Sequence, residues 1–313
     1  MDKKYVLGFG GANADLHIRC KSRVLLHDSN PSVMSSSPGG VMRNILDNMS
    51  RLGTSCRLLS AVGNDPNGRM LLESCKERGI DVSAVWISDV LPTSCYMDFL
   101  DPDGDMFVAA NDMAVIEEMP EECLYGNRDM IAAASALVID TNPLEERLIR
   151  FCEYANGPIF ADPVSAAKGG KLKAVLPRLF LIKPNLLELE LLSGIRCGSN
   201  DDIKKAAEKI LETGCHSVAV SLGSEGCYYA DRNGESFFMK LDPVENMANA
   251  TGAGDAFMAG LVSAYADGLD PSGMVARGLA CGRLAVQCRA TINPQLSMEN
   301  VKKELEHGLQ KLS

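Results

Sequence analysis

A glycine-rich turn that runs into an aspartate is the stretch of the chain most suited to chemistry. Residues 249–260 read NATGAGDAFMAG, and Gly252, Ala253 and Gly254 lead directly into Asp255 and a run of helix formers. Glycine lets a ligand approach the backbone closely, and the first amides of a helix have no internal partners, so this turn can hold a phosphate anion. Asp255, kept ionised by the helix dipole, would accept a proton from an attacking hydroxyl. The motif alone is equally compatible with an ordinary helix start that carries a first-turn acid.

A pair of glycines, Gly39 and Gly40, precedes another predicted helix in the segment PGGVMRN. Asn44 lies on the first turn or two of that helix. Paired glycines allow the backbone to approach a polyhydroxyl substrate, and the Asn44 amide offers both a donor and an acceptor. A plain turn followed by a helix start is the better explanation of this segment when it is taken alone.

Polar residues also stand where the chain leaves the predicted body. Asn13 and Asp15 follow the first strand, and a carboxylate that accepts two hydrogen bonds suits the vicinal diol of ribose. Asn111, followed by Asp112, lies where a second insertion returns to the body and where a polar side chain would reach a cleft. The alternatives are a solvated strand face for the first pair and simple turn chemistry for the second.

Asn185 and Glu188 follow a buried strand in the segment KPNLLE. Their spacing places them on one face of a new helix. An amide and a carboxylate at the end of a strand can organise a hydrated Mg²⁺ ion and phosphate oxygens. The same spacing also fits a capping box, with Asn185 at the N-cap and Glu188 at the third helical position.

The segment SLGSEG ends another predicted strand and contains Ser221, Gly223 and Gly226. A hydroxyl and two glycines there suit the triphosphate tail of a nucleotide, since ligands of open α/β sheets bind at the carboxyl ends of the strands. A tight hairpin turn into Cys227–Ala230 is the alternative, and the two roles are compatible.

Strand and helix patterns alternate along most of the chain, which predicts an α/β fold with a mainly parallel central sheet covered on both faces. The predicted strands are Tyr5–Phe9, Arg57–Ala61, Ala136–Ile139, Ile159–Ala161, Leu179–Ile182 and Ser217–Ser221. The predicted helices are Arg43–Leu52, Gly68–Arg78, Leu144–Asn156, Asn185–Leu192 and Asp201–Glu212.

Two β-prone insertions interrupt this alternation. One contains Asp15–Cys20, Arg23–Leu26 and Ser32–Ser36, and the other is a hairpin of Ser94–Leu100 and Met106–Ala109 around a DPDG turn. A small sheet cannot bury both of its faces alone, so it must cover a cleft or a partner subunit. We therefore expect a body of residues 1–12, 37–92 and 113–313 and a β lid of residues 13–36 and 93–112.

Composition excludes several classes of protein. The chain has 313 residues, a net charge of −10 and a pI of about 5.0, which disfavours nucleic-acid polymers and membrane surfaces as partners. No apolar run approaches a membrane span, and the N-terminal segment has no secretory layout, so we expect a cytoplasmic protein. The 11 cysteines show no C-x-x-C spacing, which favours reduced thiols over disulfides or zinc. A P-loop is absent, and the early GFGGAN segment is followed by a β-prone run instead of the helix of a dinucleotide-binding turn.

These motifs, in this order, resemble the ribokinase or PfkB family of small-molecule kinases, and the resemblance covers nearly the whole chain. It implies a three-layer ribokinase-like body with a small β lid, and it implies ATP and Mg²⁺ as cofactors. It makes Asp255 the catalytic base and Gly252, Ala253 and Gly254 the anion hole. It assigns Asn185 and Glu188 to Mg²⁺ through water, and the ATP site to Asn185, Ser221, Gly223, Gly226 and Thr251. It assigns the sugar to Asn13, Asp15, Gly39, Gly40 and Asn44.

Longer segments are similar to one branch of that family, the pseudouridine kinases. They include LLSAVGNDPNG at 58–68, AANDMAV at 109–115 and DPVSAAK at 162–168. The resemblance adds Arg43, Asn111 and Lys168 as substrate-binding residues. It implies ATP-dependent phosphorylation of the 5′-hydroxyl of free pseudouridine. The family fold also implies a lid that often pairs with the lid of a second subunit in a homodimer, and a lid that covers the cleft without pairing is the alternative. A kinase of ribose, adenosine or inosine is the nearest alternative, and a nucleoside sensor without catalysis is a more distant one.

Asn249 marks a departure from many members of the family. They carry an acid two residues before the signature threonine, where a monovalent cation binds, and here that position holds a neutral amide ahead of Thr251. An amide attracts K⁺ less strongly than a carboxylate does. We therefore do not expect strict activation by K⁺.

Overall fold

The computed structural model describes residues 4–245 and 247–312, so residues 1–3, 246 and 313 of the expected body lie outside it. Its strands are β1 Val6–Phe9, β2 Asn13–Cys20, β3 Ser32–Gly39, β4 Cys56–Leu59, β5 Ala61–Gly63, β6 Trp86–Ser88, β7 Cys95–Leu100, β8 Met106–Asp112, β9 Ala136–Asp140, β10 Ile159–Asp162, β11 Leu181–Ile182, β12 Ser217–Ser221, β13 Cys227–Asp231, β14 Ser236–Lys240 and β15 Gln310–Leu312.

The helices cover most of the remaining body. They are α1 Val41–Arg51, α2 Pro66–Glu77, α3 Ala114–Glu117, α4 Glu121–Gly126, α5 Arg128–Ala133, α6 Glu145–Tyr154, α7 Ala166–Gly169, α8 Leu186–Ser193, α9 Asn200–Leu211, α10 Ala253–Ala266, α11 Pro271–Val286 and α12 Met298–Glu304. Within the described ranges, none of these helices is long and apolar enough to cross a membrane.

A nine-stranded sheet forms the centre of the body, in the order β15-β14-β13-β12-β11-β10-β9-β1-β4. The strands from β12 to β4 are parallel, which confirms the predicted mainly parallel sheet. The edge formed by β13, β14 and β15 is antiparallel. All the predicted strands and helices of the body overlap elements of the structure, whereas β6, β14 and β15 were not predicted.

The body has three layers because neighbouring residues of each buried strand point to opposite faces. In β9, Leu137 and Ile139 pack into one core cluster with α6, α8 and α9, whereas Ala136 and Val138 pack into another with α1, α2 and α10. Strands covered on both sides are continuously apolar, which is why they appear in the sequence as short unbroken runs.

The second, smaller sheet has the order β3-β2-β7-β8. β2 pairs antiparallel with β3 and parallel with β7, so the two insertions join through their first strands. The expectation that Arg23–Leu26 belongs to the β-prone part of the insertion is wrong, because these residues lie in the connection between β2 and β3. Asn30 stabilises that connection by bonding the backbone of Leu25 through both ends of its amide, which gives the segment a turn in place of a strand partner.

Asp65 fixes the small sheet to the body. Its carboxylate caps α2 by accepting a hydrogen bond from Gly68 N at 2.8 Å, and it also accepts bonds from the backbone and the hydroxyl of Thr93 at 2.8 and 2.7 Å. Thr93 is the first residue of the second insertion and lies two residues before β7. One carboxylate therefore serves both as a helix cap and as an anchor for β7.

Candidate active site

A cavity of about 670 Å³ opens beside the carboxyl ends of β10, β11 and β12. Its wall combines strand ends, the turn before β13 and the first turn of α10. The predicted site residues in this wall are Asn185, Glu188, Ser221, Gly223, Gly226, Ala253, Gly254 and Asp255. The structure thus brings together most of the residues assigned to the anion hole, to ATP and to the metal, although they come from distant parts of the chain, and only Thr251 and Gly252 of these sets do not line the cavity.

The turn before α10 has the geometry that its glycine predicts. Gly252 is the N-cap with φ of 82°, and a side chain there would collide with the carbonyl of Thr291. The first intrahelical bond runs from Ala256 N to the oxygen of Gly252. Within the described part of the chain, the amides of Gly254 and Asp255 donate no hydrogen bond. These two donors are therefore available to an anion.

Asp255 lines the cavity and is half-buried. Its Oδ2 accepts a hydrogen bond of 2.9 Å from the side-chain amide of Asn44. Burial, reinforced by the nearby Asp162, raises the pKa of Asp255 to about 7, while Asn44 and Lys183 oppose the shift. The helix dipole favours the ionised form of this acid, and desolvation opposes it. A carboxylate with a pKa near neutrality is well suited to accept a proton from a hydroxyl.

Lys183 and Asp162 form a buried ion pair at the floor of the cavity, with Nζ and Oδ2 separated by 3.2 Å. Burial alone would lower the pKa of Lys183, but the carboxylates of Asp162, Glu188 and Asp255 raise it above its ordinary value. These carboxylates favour the charged form of Lys183. Its Nζ lies 3.5 Å from the point where a Cβ on Gly254 would be, which places the charge beside the proposed anion hole.

Asp162 and Lys183 were not among the predicted site residues. The available evidence was positional, because Asp162 ends a buried strand and Lys183 follows one, and both stand next to a proline. Charged residues at the carboxyl ends of parallel strands are candidates for ligand contacts. What the sequence does not reveal is that the two ends are neighbours, since this depends on the adjacency of β10 and β11.

Asn185 and Glu188 form a capping box at the start of α8. Glu188 N donates to Asn185 Oδ1, and Asn185 N donates to Glu188 Oε2, each at 2.9 Å. Both residues also line the cavity, so the two interpretations of this motif are compatible. Among the described residues, no three His, Cys, Asp or Glu side chains cluster closely enough to hold a metal. The carboxylates present fit Mg²⁺ only as a hydrated ion shared with phosphate oxygens.

The turn from β12 to β13 is a hairpin and also part of the cavity wall. Ser221 N donates to Pro184 O at 2.9 Å, which ties the turn to the start of α8, and Leu222 N donates to Gly226 O at 2.8 Å. Gly223 and Gly226 lie within this turn. The hairpin alternative is thus observed, and the turn still faces the cavity through its hydroxyl and its glycines.

Thr251 lies just ahead of Gly252 and is exposed, beside the cavity wall rather than in it. Its backbone N donates to Asn249 Oδ1 at 3.0 Å, and the Asn249 Nδ2 donates to Arg289 O at 3.0 Å. Asn249 therefore uses both ends of its amide to shape the loop.

The residues assigned to the sugar form a separate group outside the cavity wall. Asn13 Nδ2 donates to Asp15 Oδ1 at 2.5 Å. Burial raises the pKa of Asp15 to about 6, although His17 and Asn13 oppose the shift. A side chain at Gly39 would collide with the Asp15 carboxylate, and Gly40 has φ of 96°. Both glycines are thus required where the small sheet meets α1.

Arg43, Lys168 and Asn111 do not reach the cavity wall. Arg43 is buried and donates to Asp47 Oδ2 at 2.8 Å, and Lys168 Nζ donates to Asn142 Oδ1 at 2.8 Å. Asn111 is exposed on β8. The substrate-binding role that the resemblance gives these three residues remains a prediction.

Asp140 is a site-forming residue that the sequence did not indicate. It is fully buried at the end of β9 and accepts hydrogen bonds from the backbone of Gly11 at 2.9 Å, Met42 at 3.1 Å and Asn142 at 2.8 Å. Burial raises the pKa of Asp140 to about 6. This carboxylate joins the segment after β1 to the first turn of α1, and so it positions the helix that carries Asn44.

Comparison with known proteins identifies the family. The model of the pfkB family of carbohydrate kinases matches residues 3–298. The chain belongs to this family. It is 39% identical to the pseudouridine kinase of Escherichia coli (strain K12), over 98% of each chain. Membership of this family and the similarity to this relative identify the chain as a phosphotransferase with an alcohol group as acceptor.

Solved structures confirm the predicted ribokinase-like fold. A carbohydrate kinase from Agrobacterium tumefaciens superimposes with a TM-score of 0.87, at 25% identity over 99% of each chain. The Arabidopsis thaliana ribokinase, complexed with ribose and ATP, gives a TM-score of 0.87 at 20% identity, with 97% of this chain and 99% of that chain covered. The three-layer body and the separate small sheet are thus features that the chain shares with this fold.

Proposed function

We propose that the protein uses ATP to phosphorylate the 5′-hydroxyl of free pseudouridine. The similarity to the pseudouridine kinase of E. coli supports the substrate. The observation that carries the chemistry is the hydrogen bond from Asn44 to Asp255, because it joins the group assigned to the sugar to the wall of the nucleotide cavity. A hydroxyl held beside Asn44 is then within reach of Asp255 as the general base.

The cavity supplies the nucleotide half of the proposed reaction. The turn that contains Ser221, Gly223 and Gly226 would hold the triphosphate, and Asn185 and Glu188 would hold a hydrated Mg²⁺. When bound, Mg²⁺ neutralises charge on the phosphates. Lys183 and the free amides of the α10 turn stabilise the charge that spreads over the transferred phosphoryl group. Asp255 aligns the attacking hydroxyl and accepts its proton.

The second half of the reaction depends on the acceptor. Asp15 accepts hydrogen bonds from the ribosyl diol, and Asn13, Gly39 and Gly40 shape the contact around it. Residues 13–36 and 93–112 act as a lid that closes over the nucleoside and excludes water from the phosphoryl group. Asn111 and Lys168 approach the base from the lid and from the body.

The lid also offers a surface for a second copy of the chain. Its exposed side chains include the apolar residues Val33, Met34, Met106, Phe107 and Val108. These side chains lie on the two edge strands of the small sheet, β3 and β8, and exposed apolar side chains at sheet edges favour pairing with another chain. We propose that two lids pair in a homodimer, and that the enzyme works in the cytoplasm, where ATP is available. Met34→Glu should then shift the sedimentation profile toward the monomer, and an unchanged profile would argue against lid pairing.

A substrate panel tests the proposed function. ADP release with ATP and Mg²⁺ is measured across pseudouridine, uridine, inosine, adenosine and ribose, with nucleoside binding followed by calorimetry. We expect the highest kcat/KM for pseudouridine. A higher value for ribose or inosine would overturn the substrate and leave the kinase chemistry intact. Nucleoside binding without ADP formation for any acceptor would instead indicate a sensor.

A further inference from the structure

Arg43 is hydrogen-bonded to the side-chain amide of Asn44, on the end opposite to Asp255. Its guanidinium is buried, with 6% of the residue exposed. Nη1 donates to Asn44 Oδ1 at 3.0 Å and to Pro38 O at 3.2 Å, while Nη2 donates to Asp47 Oδ2 at 2.8 Å. A planar fork of this kind fixes several acceptors at once, which a lysine ammonium cannot reproduce.

The position of Arg43 determines which end of the Asn44 amide meets Asp255. The amide oxygen is bonded to the Arg43 cation, so the NH₂ group faces the carboxylate and donates to Asp255 Oδ2 at 2.9 Å. A flipped amide would place its oxygen against the carboxylate and its NH₂ group against the guanidinium, and both contacts would be repulsive. The cation therefore selects one orientation.

We propose that Arg43 is a positioning residue that acts on Asp255 through the side-chain amide of Asn44. This inference rests on the proposed role of Asp255 as the base. Asp47 anchors the arrangement, because its second oxygen, Oδ1, accepts a hydrogen bond of 2.6 Å from Arg51 one turn further along α1. Hydrogen bonds thus link four side chains in series, from α1 to the proposed base: Asp47, Arg43, Asn44 and Asp255.

The electrostatics around Asp255 give this series a measurable consequence. Burial raises the pKa of Asp255 most, the carboxylates of Asp162 and Asp140 add to the shift, and the Asn44 donor and Lys183 lower it. If Arg43 no longer fixes the amide, Asp255 loses one of the two groups that favour its ionised form. The acid limb of the pH–rate profile, where Asp255 gains its proton, should then move to higher pH.

Arg43→Lys is the direct test, since it retains a cation for Asp47 but loses the fork. The kinetics are measured with the best acceptor of the substrate panel. We expect the midpoint of the acid limb in the profile of kcat against pH to move up by roughly half a pH unit to one pH unit. We also expect kcat at neutral pH to fall by about threefold to tenfold. Arg51→Lys is the matched control, because it alters the other partner of Asp47 and should leave the acid limb unchanged.

A double-mutant cycle with Asn44→Ala separates action through the amide from other roles. If Arg43 acts through Asn44, Arg43→Lys should change kcat by less than about twofold in the Asn44→Ala background. The same loss in both backgrounds would overturn the inference. So would a higher KM for the acceptor with an unmoved acid limb, because that result would indicate direct substrate contact.

Folding and substrate identity are controlled separately. Thermal melts identify a variant that fails to fold, and Arg43→Gln, which keeps a planar donor without the charge, then replaces Arg43→Lys in the cycle. A wrong substrate is detected with the unmodified enzyme in the panel. The role of Arg43 is tested only by the kinetics of the variants, and these can be measured with any alcohol that the enzyme accepts.

Discussion

The two walls of the proposed site are fixed by different interactions. On the phosphate wall, the buried pair of Lys183 and Asp162 and the first turn of α10 supply charge and free amides. On the acceptor wall, Asp15 and Asn44 are held by amide hydrogen bonds, next to glycines at positions where side chains would collide. One wall is built from charge at strand ends, and the other from shape and amide orientation.

This difference indicates that one wall serves phosphoryl transfer and the other serves recognition of the acceptor. The transferred phosphoryl group is the same for every acceptor, and a fixed set of charges serves it. The acceptor varies between kinases, and small polar groups at the junction of a lid and a body can be exchanged without changing the sheet. Changes on the phosphate wall should therefore affect turnover, while changes on the acceptor wall should affect substrate binding first.

Asp255→Asn should have the largest effect, because it removes the proposed base where the two walls meet. We expect kcat to fall by roughly a hundredfold or more, with nucleoside binding largely intact. Steady-state ADP release and calorimetry measure the two quantities. Near-normal turnover would exclude Asp255 as the base, and Asp129→Asn on the exposed surface of α5 should change neither.

Lys183→Met should have the second-largest effect, because it removes the positive charge of the phosphate wall. It removes the buried cation and leaves Asp162 without its partner, so we expect kcat/KM for ATP to fall by about a hundredfold. Some loss of thermal stability should accompany it. Lys204→Met, which changes a lysine on α9 away from the cavity, is the control. If acceptor KM changed instead of the ATP parameters, the division between the walls would be wrong.

Asp15→Asn should affect the acceptor wall alone. We expect the KM for the nucleoside to rise by roughly tenfold with a smaller change in kcat, because the diol loses an ionised acceptor. The pKa of Asp15, raised to about 6, predicts a pH dependence of binding in the unmodified enzyme. Nucleoside affinity should weaken as pH falls through about 6, where the carboxylate gains a proton. Pseudouridine titrations at several pH values would detect this, and a flat profile would contradict it.

Asn249→Asp should produce the smallest effect. The unmodified enzyme should show less than roughly twofold activation when K⁺ replaces Na⁺, because an amide attracts the ion only weakly. The variant should gain K⁺ dependence, since it restores a carboxylate at this position. Strong K⁺ activation of the unmodified enzyme would show that other groups of the loop bind the ion.

The sequence predicted the elements better than the contacts between them. Unbroken apolar runs and helix-cap residues mark the strands and helices locally, so β1, β9 and β12 were predictable. The buried role of Asp140 and the pairing of Asp162 with Lys183 depend on which strands are neighbours, and that information is not local. The desolvation that raises the pKa of Asp255 is likewise not visible in the sequence, which shows only the helix start and its dipole.

The phosphorylated position of the product tests the central proposal most directly. The protein is incubated with ATP, Mg²⁺ and pseudouridine, and the product is analysed by mass spectrometry and by ³¹P NMR with proton coupling. The account predicts a nucleoside monophosphate whose phosphorus couples to the methylene protons of the 5′ carbon, formed in equal amount to ADP. Phosphate on a secondary hydroxyl, or ADP formation without phosphorylated pseudouridine, would contradict it.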